Sequence, residues 1–291
     1  MMTALIDGDT LIYRAGFAAQ RNIYRIELYS DPEATEESFE GVIKHDFNNK
    51  TEATKWIKDH TDDPGFKDLT MIIDWDLQLS PVSHAFSNAK QLIHSIMENT
   101  QSDRYRIVMG NESGTSFRKN LTNSYKANRD PAGKPFYLDE LRHYLKTHHG
   151  AEYAPELIET DDVLGIEQTQ SMSSTVICTI DKDLRMIPGW YYHFKDVKMD
   201  WINELDGMLH FYTQLLTGDN ADNIRGIYRM GEKTAKKLLK NCAMREEMEE
   251  IVTEKYLDHF GEGGLPLLEL NKQLLWIMRD YSEVAKYVNV Q

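Results

Sequence analysis

Acidic residues that could bind divalent cations occur in four short clusters, each next to an apolar segment. They are Asp7 in LIDGD, Glu159, Asp161 and Asp162 in IETDD, Asp181 and Asp183 in TIDKD, and Asp219 and Asp222 in GDNAD. Asp and Glu are rarely buried unless a base or a cation accompanies them. If the clusters converge, their mutual repulsion favours hard cations such as Mg²⁺ or Mn²⁺ at the centre. Such a centre suits phosphodiester hydrolysis with two metal ions.

Each cluster also has an explanation that needs no ligand. Acids before an apolar run, as in IETDDVLG, are typical of a helix N-terminus, where they oppose the dipole, and GDNADN is typical of a turn. The joint occurrence of four clusters is what favours a metal site. The ten histidines show no HExxH spacing, and the chain contains no GxSxG, P-loop or GxGxxG motif.

The elements that must position these acids follow an α/β pattern. Strands are predicted for TALID (3–7), TMIIDW (70–75), RYRIVMG (104–110), TVICTID (175–181) and WYYHF (190–194). Helical patterns between them predict a twisted, mostly parallel sheet with helices on both faces. Ligands gather at the carboxyl ends of such strands, which is where Asp7 and Asp181 lie.

Two regions depart from this alternation. Residues 22–69 are predicted to be an insertion, with a strand in NIYRIELY, an acidic loop, and a short helix in TEATKWIKDH. Beyond residue 207 the patterns are only helical. We therefore predict an α/β core over residues 1–206 and a helical region over 207–291 packed on it.

Composition indicates an ordinary globular protein. The chain has 291 residues, 41% hydrophobic and 27% charged, which suits one large domain or two coupled ones. Its two cysteines form no CxxC pair, as expected in a reducing cytosol. Neither a signal peptide nor an apolar run of about 18 residues is evident, so we predict a cytoplasmic protein without a membrane partner.

Two basic islands stand out from a net charge of −14. Residues 118–134 hold five bases and one acid, and residues 225–240 hold six bases and one acid. In the first island, Arg118, Lys119, Lys126 and Arg129 are candidates to pair with phosphates. Phe117 and Tyr125 are candidates to stack on bases of a single strand. The alternative is a solvated charged loop.

The second island combines glycines with lysines. Gly226 and Gly231 are predicted to bracket a tight connection between two helices, and Lys233 and Thr234 to begin the second helix. Backbone N–H groups at that helix start, with lysines behind them, would bind a DNA phosphate. A capped helix–turn–helix without a ligand is the alternative.

The order of the motifs resembles that of the 5′-nuclease (flap endonuclease) family, and the match spans nearly the whole chain. The motifs are IDGDTLIYRAGFA, SYKANRD, IETDDVLG, TIDKDL and LLTGDNADNIRG…GEKTAKKLL. This family includes the 5′-nuclease domain of bacterial DNA polymerase I and bacteriophage 5′–3′ exonucleases. The acidic insertion and small size are most similar to the phage enzymes, whose location would be the host cytoplasm.

The resemblance implies a PIN-like α/β nuclease core, with all eight clustered acids as ligands for two Mg²⁺ or Mn²⁺ ions. It implies a helical arch near residues 112–136, where Lys126 and Arg129 would contact the scissile phosphate region. It also implies a helix–two-turn–helix in GIYRMGEKTAKKLL that grips duplex DNA and, in relatives, binds a monovalent cation such as K⁺.

Two positions depart from the family pattern. The family has Asp where this chain has Asn111, which brings no charge and cannot act as a base. The family also has Gly where this chain has Arg229. Two alternatives follow: the turn binds K⁺ as in relatives, or Arg229 contacts a phosphate instead.

The resulting hypothesis is a monomeric, Mg²⁺-dependent 5′–3′ exonuclease and 5′-flap endonuclease acting on DNA ends, nicks or flaps. The alternatives are an RNase that cuts RNA–DNA hybrids and a non-catalytic branched-DNA-binding protein whose metal site has decayed.

Overall fold

A computed structural model describes residues 1–31, 33, 35–129 and 133–288, without the side chains of residues 44, 45, 287 and 288. The strands are β1 (Thr3–Asp7), β2 (Gln20–Tyr29), β3 (Phe39–Phe47), β4 (Thr70–Leu79), β5 (Arg104–Met109), β6 (Glu152–Tyr153), β7 (Thr175–Thr179), β8 (Gly189–His193), β9 (Lys198–Ile202), β10 (Gly218–Asp219) and β11 (Ile224–Arg225). The helices are α1 (Gly8–Phe17), α2 (Lys50–His60), α3 (Val82–Thr100), α4 (Phe117–Leu121), α5 (Leu138–His149), α6 (Thr160–Gln170), α7 (Glu204–Thr217), α8 (Glu232–Leu239), α9 (Arg245–Phe260), α10 (Gly264–Leu275) and α11 (Tyr281–Val288). None of these described helices is long and apolar enough to cross a membrane.

A six-stranded sheet has the order β6-β5-β1-β7-β8-β9. All neighbouring pairs are parallel except β8 and β9. Every residue of β7 is buried, as expected for a strand covered on both faces, and this explains its continuous apolar and β-branched sequence. The predicted mostly parallel α/β sheet is confirmed.

A second, antiparallel sheet of order β3-β2-β4 belongs to a separate compact unit made of residues 15–88 and 135–137. The predicted strand in NIYRIELY and the predicted helix in TEATKWIKDH are confirmed as β2 and α2. The assignment of residues 70–75 to the parallel sheet is wrong, because β4 pairs along its whole length with β2, from Gln20↔Leu79 to Tyr29↔Thr70. A short apolar run does not reveal which sheet it joins.

The other unit contains the six-stranded sheet and the helices from α4 onward, so residues 207–288 cluster with the sheet. Packing of α7, α9 and α10 buries Leu215, Val252 and Tyr256 completely. Tyr256 donates a hydrogen bond to the carbonyl of Leu215 at 2.6 Å, and Asn271 Nδ2 donates to the Tyr256 hydroxyl at 2.9 Å. The predicted helical C-terminal part is therefore confirmed. The functional boundary at residue 206 stays a prediction.

Candidate active site

Asp7 and Asp181 lie at the same edge of the six-stranded sheet. β1 lies between β5 and β7, with Asp7 opposite Val108 and Ile6 opposite Cys178. Asp7 is the last residue of β1, and Asp181 follows β7 by two residues. Both acids thus occupy the carboxyl edge, as the strand pattern predicts.

Asp7 is buried and held by hydrogen bonds from its own chain. The backbone N–H groups of Asp9 and Thr10 donate to Oδ1 at 3.1 Å each, and Thr179 Oγ1 donates to Oδ2 at 2.7 Å. Burial, followed by repulsion from Asp9, raises the pKa of Asp7 to about 7 in spite of these donors. A cation beside Asp7 would therefore favour its ionised form.

The start of α6 places two further acids at this edge. Glu159 is the N-cap residue of α6, and Asp161 lies in its first turn. Burial, and then repulsion from Asp181 and Asp7, raises the pKa of Asp161 well above its ordinary value. Within the described parts of the chain, no group donates a hydrogen bond to the Asp161 side chain. Asp161 is consequently available to a ligand.

The acids after β7 lie beside the cluster that follows α7. The backbone N–H of Asp183 donates to Asp181 Oδ1 at 2.8 Å, and Gln214 Nε2 donates to Asp183 Oδ1 at 2.6 Å. Burial and the charge of Asp183 raise the pKa of Asp181 to about 6. Burial opposes ionisation of Asp183, but its interactions with His210, Lys182 and Asp219 outweigh burial and lower its pKa. The two clusters therefore interact electrostatically.

Glu159 and Asp222 lie on either side of the Tyr125 hydroxyl, at 3.0 Å and 3.1 Å from it. Lys126 Nζ donates to Glu159 Oε1 at 2.8 Å and lies 3.7 Å from Asp222 Oδ2. Arg129 Nη2 donates to Asp222 Oδ1 at 2.6 Å. The two bases predicted to contact phosphate thus pair with two of the predicted metal ligands.

Electrostatic repulsion links the clusters around one centre, because Asp181 and Asp7 raise the pKa of Asp161 and Asp181 also contributes to the raised pKa of Asp7. Such a set of carboxylates fits hard divalent cations. In the ranges that the structure describes, no three His, Cys, Asp or Glu side chains already form a coordination shell. The ligand assignments therefore stay predictions, and side-chain adjustment would have to accompany binding.

Asp162 does not fit its predicted role as a metal ligand. Its side chain is 0% exposed and accepts two hydrogen bonds from Arg118, Nη1 to Oδ2 at 2.7 Å and Nη2 to Oδ1 at 2.8 Å. Arg118 is itself buried and also donates to the carbonyls of Leu274 and Trp276. This pair has a structural role, which corrects both the ligand assignment of Asp162 and the phosphate assignment of Arg118.

The predicted stacking residues are also buried. Phe117 is 3% exposed and Tyr125 is 4% exposed, so neither ring offers a face to a nucleic-acid base. An aromatic residue in a basic segment can be either a buried core residue or an exposed stacking residue. Its neighbours in the sequence do not distinguish the two. Lys119 is exposed and donates to the carbonyl of Gly114 at 2.8 Å, so its predicted contact with DNA remains open.

The predicted arch segment, residues 112–136, contains one short α-helix, α4, among its described residues. Thr122 ends α4 in an extended conformation, and Lys126 adopts a left-handed φ of 57°, so the predicted arch is not helical at Lys126 and Arg129. The backbone N–H of Lys126 instead donates to the carbonyl of Asp222 at 2.9 Å. Residues 130–132 lie outside the described residues.

The second basic island begins at the end of a hairpin rather than after a helix, because Arg225 is the last residue of β11. The β10–β11 hairpin lies between α7 and Gly226, and a side chain at Gly226 would collide with the backbone of Thr217 and Gly218. Gly231 is the N-cap of α8, with Lys233 and Thr234 exposed in the first turn. Their predicted contact with DNA stays open.

The turn before α8 carries an exposed aromatic–cation pair. Arg229 has a left-handed φ of 61°, the region that glycine adopts without strain. Its guanidinium lies 5.1 Å from the ring centre of Tyr228, which is 70% exposed. The predicted K⁺ site at this turn is not tested by these contacts.

Sequence patterns did not identify three residues that organise the site. Thr179 donates to Asp7, and Asp9 accepts hydrogen bonds from Gly110 N and Thr160 Oγ1 at 2.9 Å and 2.8 Å. Asn111 was noted only as a departure, although it is buried and fully hydrogen-bonded. The IDGD motif provided a signal for Asp9, whereas the partners of Thr179 and Asn111 depend on tertiary contacts.

Residues 79–199 match the family described as 5′-3′ exonuclease, N-terminal resolvase-like domain. This confirms the resemblance to the 5′-nucleases. The matched segment contains Glu159, Asp161 and Asp181 together with Lys126 and Arg129.

Relatives with this domain have different lengths. The chain is 26% identical over 211 residues to the thermostable DNA polymerase I of Thermus aquaticus, covering 62% of this chain and 24% of the polymerase. It is 27% identical over 177 residues to a 5′-3′ exonuclease of Mycoplasmopsis pulmonis, covering 54% of this chain and 58% of that protein. The chain thus spans about a quarter of the polymerase and little more than half of the exonuclease.

A solved structure supports the fold. The flap endonuclease of bacteriophage T5, in a pseudo-enzyme–product complex with DNA and metal ions, superposes with a TM-score of 0.51 at 13% identity, covering 94% of this chain and 98% of that chain. At this identity the similarity concerns the fold alone. It agrees with the parallel sheet flanked by helices.

Proposed function

We propose that this protein is a divalent-metal-dependent 5′–3′ exonuclease and 5′-flap endonuclease that hydrolyses DNA phosphodiester bonds. The observation that carries the proposal is the gathering of Asp7, Asp161 and Asp181 near the carboxyl edge of the sheet, where Asp181 and Asp7 raise the pKa of Asp161, next to the Lys126–Glu159 and Arg129–Asp222 pairs. Acids that bind cations and bases that bind phosphate are the groups needed to cut a phosphodiester. The family match supports this assignment.

Seven acids would hold Mg²⁺ or Mn²⁺, and their chemistry supports two ions. They are Asp7, Glu159, Asp161, Asp181, Asp183, Asp219 and Asp222. Bound divalent ions supply an activated water and stabilise the leaving oxygen of an in-line displacement. Thr179 and the backbone at Asp9 and Thr10 hold the Asp7 carboxylate in position. Asp162 is left out because Arg118 occupies both of its oxygens.

Lys126 and Arg129 would bind the phosphate at the cleavage position. Their present partners, Glu159 and Asp222, keep both cations at the edge of the acidic cluster. A substrate phosphate would offer these bases a second set of anionic oxygens. They would then stabilise negative charge as it develops on the phosphate.

The C-terminal region would bind duplex DNA through the island at residues 225–240. Its exposed candidates are Arg225, Arg229, Lys233 and the backbone N–H groups at the start of α8. These groups would contact phosphates and therefore confer binding that weakens steeply with salt. We accordingly assign residues 1–206 to the catalytic core and residues 207–291 to duplex binding, with Asp219 and Asp222 contributing to the metal site from the C-terminal part.

Cleavage of a matched panel tests this function. Blunt, nicked and 5′-flap DNA duplexes and an RNA–DNA hybrid, each labelled separately at either end, would be incubated with Mg²⁺, Mn²⁺ or chelator. We expect metal-dependent products from the 5′ side of DNA. Preferential cutting of the RNA strand would favour the RNase alternative. Binding without cleavage in every metal would favour a non-catalytic DNA-binding protein.

A further inference from the structure

Asn111 stands immediately beyond the end of β5, where the family pattern has an acid. Its side chain is 5% exposed. The amide Nδ2 donates to the carbonyls of Thr115 at 2.8 Å, Ile158 at 3.0 Å and, more weakly, Pro155 at 3.4 Å. Oδ1 accepts from Thr115 N at 3.0 Å and Ser113 Oγ at 3.1 Å. Every donor and acceptor of the amide is therefore used.

These hydrogen bonds join two segments that are distant in sequence. Ile158 directly precedes Glu159, the N-cap residue of α6, so the amide of Asn111 ties the end of β5 to the start of the helix that carries Asp161. Phe117 N also donates to the carbonyl of Leu157 at 2.8 Å, which strengthens the same junction. The position of two site acids thus depends on contacts made through residues 111–117.

The segment held by Asn111 is conformationally strained. Leu157 has a φ of 67°, in the left-handed region where the Cβ atom of any residue other than glycine crowds the backbone and costs free energy. Such a conformation persists when surrounding contacts determine it. Asn111 holds residues on both sides of Leu157, namely Pro155 and Ile158. Loss of the amide would therefore release this segment toward relaxed conformations.

We propose that Asn111 is a positioning residue that fixes Glu159 and Asp161 for metal binding, and that it is not a degraded metal ligand. An ionised aspartate at this position could not donate to the carbonyls of Thr115 and Ile158. Its carboxylate oxygens would face theirs at 2.8–3.0 Å, the distances now occupied by N–H···O bonds. The amide is hence required by the packing of this chain. This inference rests on the proposed metal-dependent function.

The two roles predict opposite effects of Asn111→Asp on Mg²⁺ binding, measured by calorimetry without DNA. A positioning role predicts binding weakened about 10-fold, as found for residues that orient metal ligands from outside the coordination shell. A degraded ligand would regain a carboxylate and bind Mg²⁺ more tightly. Asn99→Asp is the matched control, because its amide also donates to a carbonyl, that of Ser95, but is exposed to water. We expect this control to bind Mg²⁺ as the wild type does.

The pH dependence of the loss provides a readout that general destabilisation would not produce. In the Asn111→Asp variant, a protonated carboxyl group can donate one hydrogen bond, whereas the ionised carboxylate can donate none. The ratio of mutant to wild-type Kd for Mg²⁺ should therefore shrink as pH falls from about 8 to about 6. A ratio that does not change with pH would contradict the donor role.

A milder variant covers the case in which Asn111→Asp does not fold. Asn111→Ser keeps one donor and adds no charge, so it should weaken Mg²⁺ binding less than Asn111→Asp but measurably. If the wild type binds Mg²⁺ and a folded Asn111 variant binds Mg²⁺ equally or more tightly, the inference about Asn111 is wrong while the proposed function stands. If the wild type binds no Mg²⁺, the proposed function fails and this inference fails with it.

Discussion

Lys126 Nζ lies 2.8 Å from Glu159 Oε1, so a base predicted to bind phosphate is paired with an acid predicted to bind metal. Although burial raises the pKa of Glu159, Arg118 and Lys126 lower it to about 2. Arg129 makes the equivalent contact with Asp222 at 2.6 Å. Metal ions would therefore compete with Lys126 and Arg129 for the carboxylates of Glu159 and Asp222. A substrate phosphate would compete with the same two carboxylates for the two bases.

Replacing Lys126 should separate the two competitions. We expect Lys126→Met to lower the single-turnover cleavage rate about 100-fold, because the phosphate loses a cation in the transition state. The same change should tighten Mg²⁺ binding without DNA, because Glu159 loses a competing cation. Lys146→Met is a suitable control, since Lys146 is exposed and pairs with the exposed Glu112. Weaker Mg²⁺ binding by Lys126→Met would contradict this competition.

The buried pair of Arg118 and Asp162 should contribute to stability. Asp162→Asn leaves Arg118 buried with only part of its charge compensated, and we expect the free energy of unfolding to fall by about 3 kcal/mol. Urea denaturation with chelator present would measure this loss. The control Asp258→Asn breaks the ion pair between the exposed Asp258 and Lys255, and its effect should be much smaller. Equal effects of the two changes would show that the buried pair is not structural.

Removal of a repelling acid should stabilise the metal-free protein. Asp161 accepts no hydrogen bond within the described residues, and burial and its acidic neighbours raise its pKa. We expect Asp161→Asn to increase the free energy of unfolding in chelator by on the order of 1 kcal/mol, while Mg²⁺ binding is lost. Glu254→Gln, at an exposed position, should change neither quantity. A destabilised Asp161→Asn protein would contradict the repulsion.

The pH dependence of stability should reveal the same repulsion. Asp7 and Asp181 have folded pKa values of about 7 and about 6, above the ordinary value of 3.8. Between about pH 5 and pH 7 the folded state therefore binds more protons than the unfolded state, so these groups lower the free energy of unfolding as pH rises. Mg²⁺ should reduce this loss by stabilising the ionised carboxylates.

His149 has a lowered pKa, so its own contribution to the free energy of unfolding rises with pH near pH 6. Because His149 is present in both proteins, comparison of the wild type with Asp7→Asn isolates the contribution of Asp7. Urea denaturation in chelator across this pH range would measure both proteins. The wild type should lose stability relative to Asp7→Asn as pH rises. A constant difference between the two would show that Asp7 does not have a raised pKa.

The sequence was sufficient for the parallel sheet and for the position of Asp7 and Asp181, because buried apolar strands and acids at their ends leave local patterns. It was not sufficient for Asp162, whose partner Arg118 lies 44 residues away in the sequence. Nor could it reveal that Tyr125 is buried, or that β4 pairs with β2. Those outcomes depend on which surfaces meet in the folded protein, and charge or hydrophobicity along the chain does not determine that.

The most direct test of metal-dependent catalysis is the cleavage rate of a 5′-flap duplex by the double variant Asp181→Asn/Asp183→Asn, measured beside its affinity for the same DNA. Both acids lie outside the basic island, residues 225–240, that is proposed to bind duplex DNA. The variant should lose cleavage at all Mg²⁺ concentrations and retain most of its DNA binding. Cleavage near the wild-type rate would contradict the assignment of this carboxylate cluster as the catalytic metal centre.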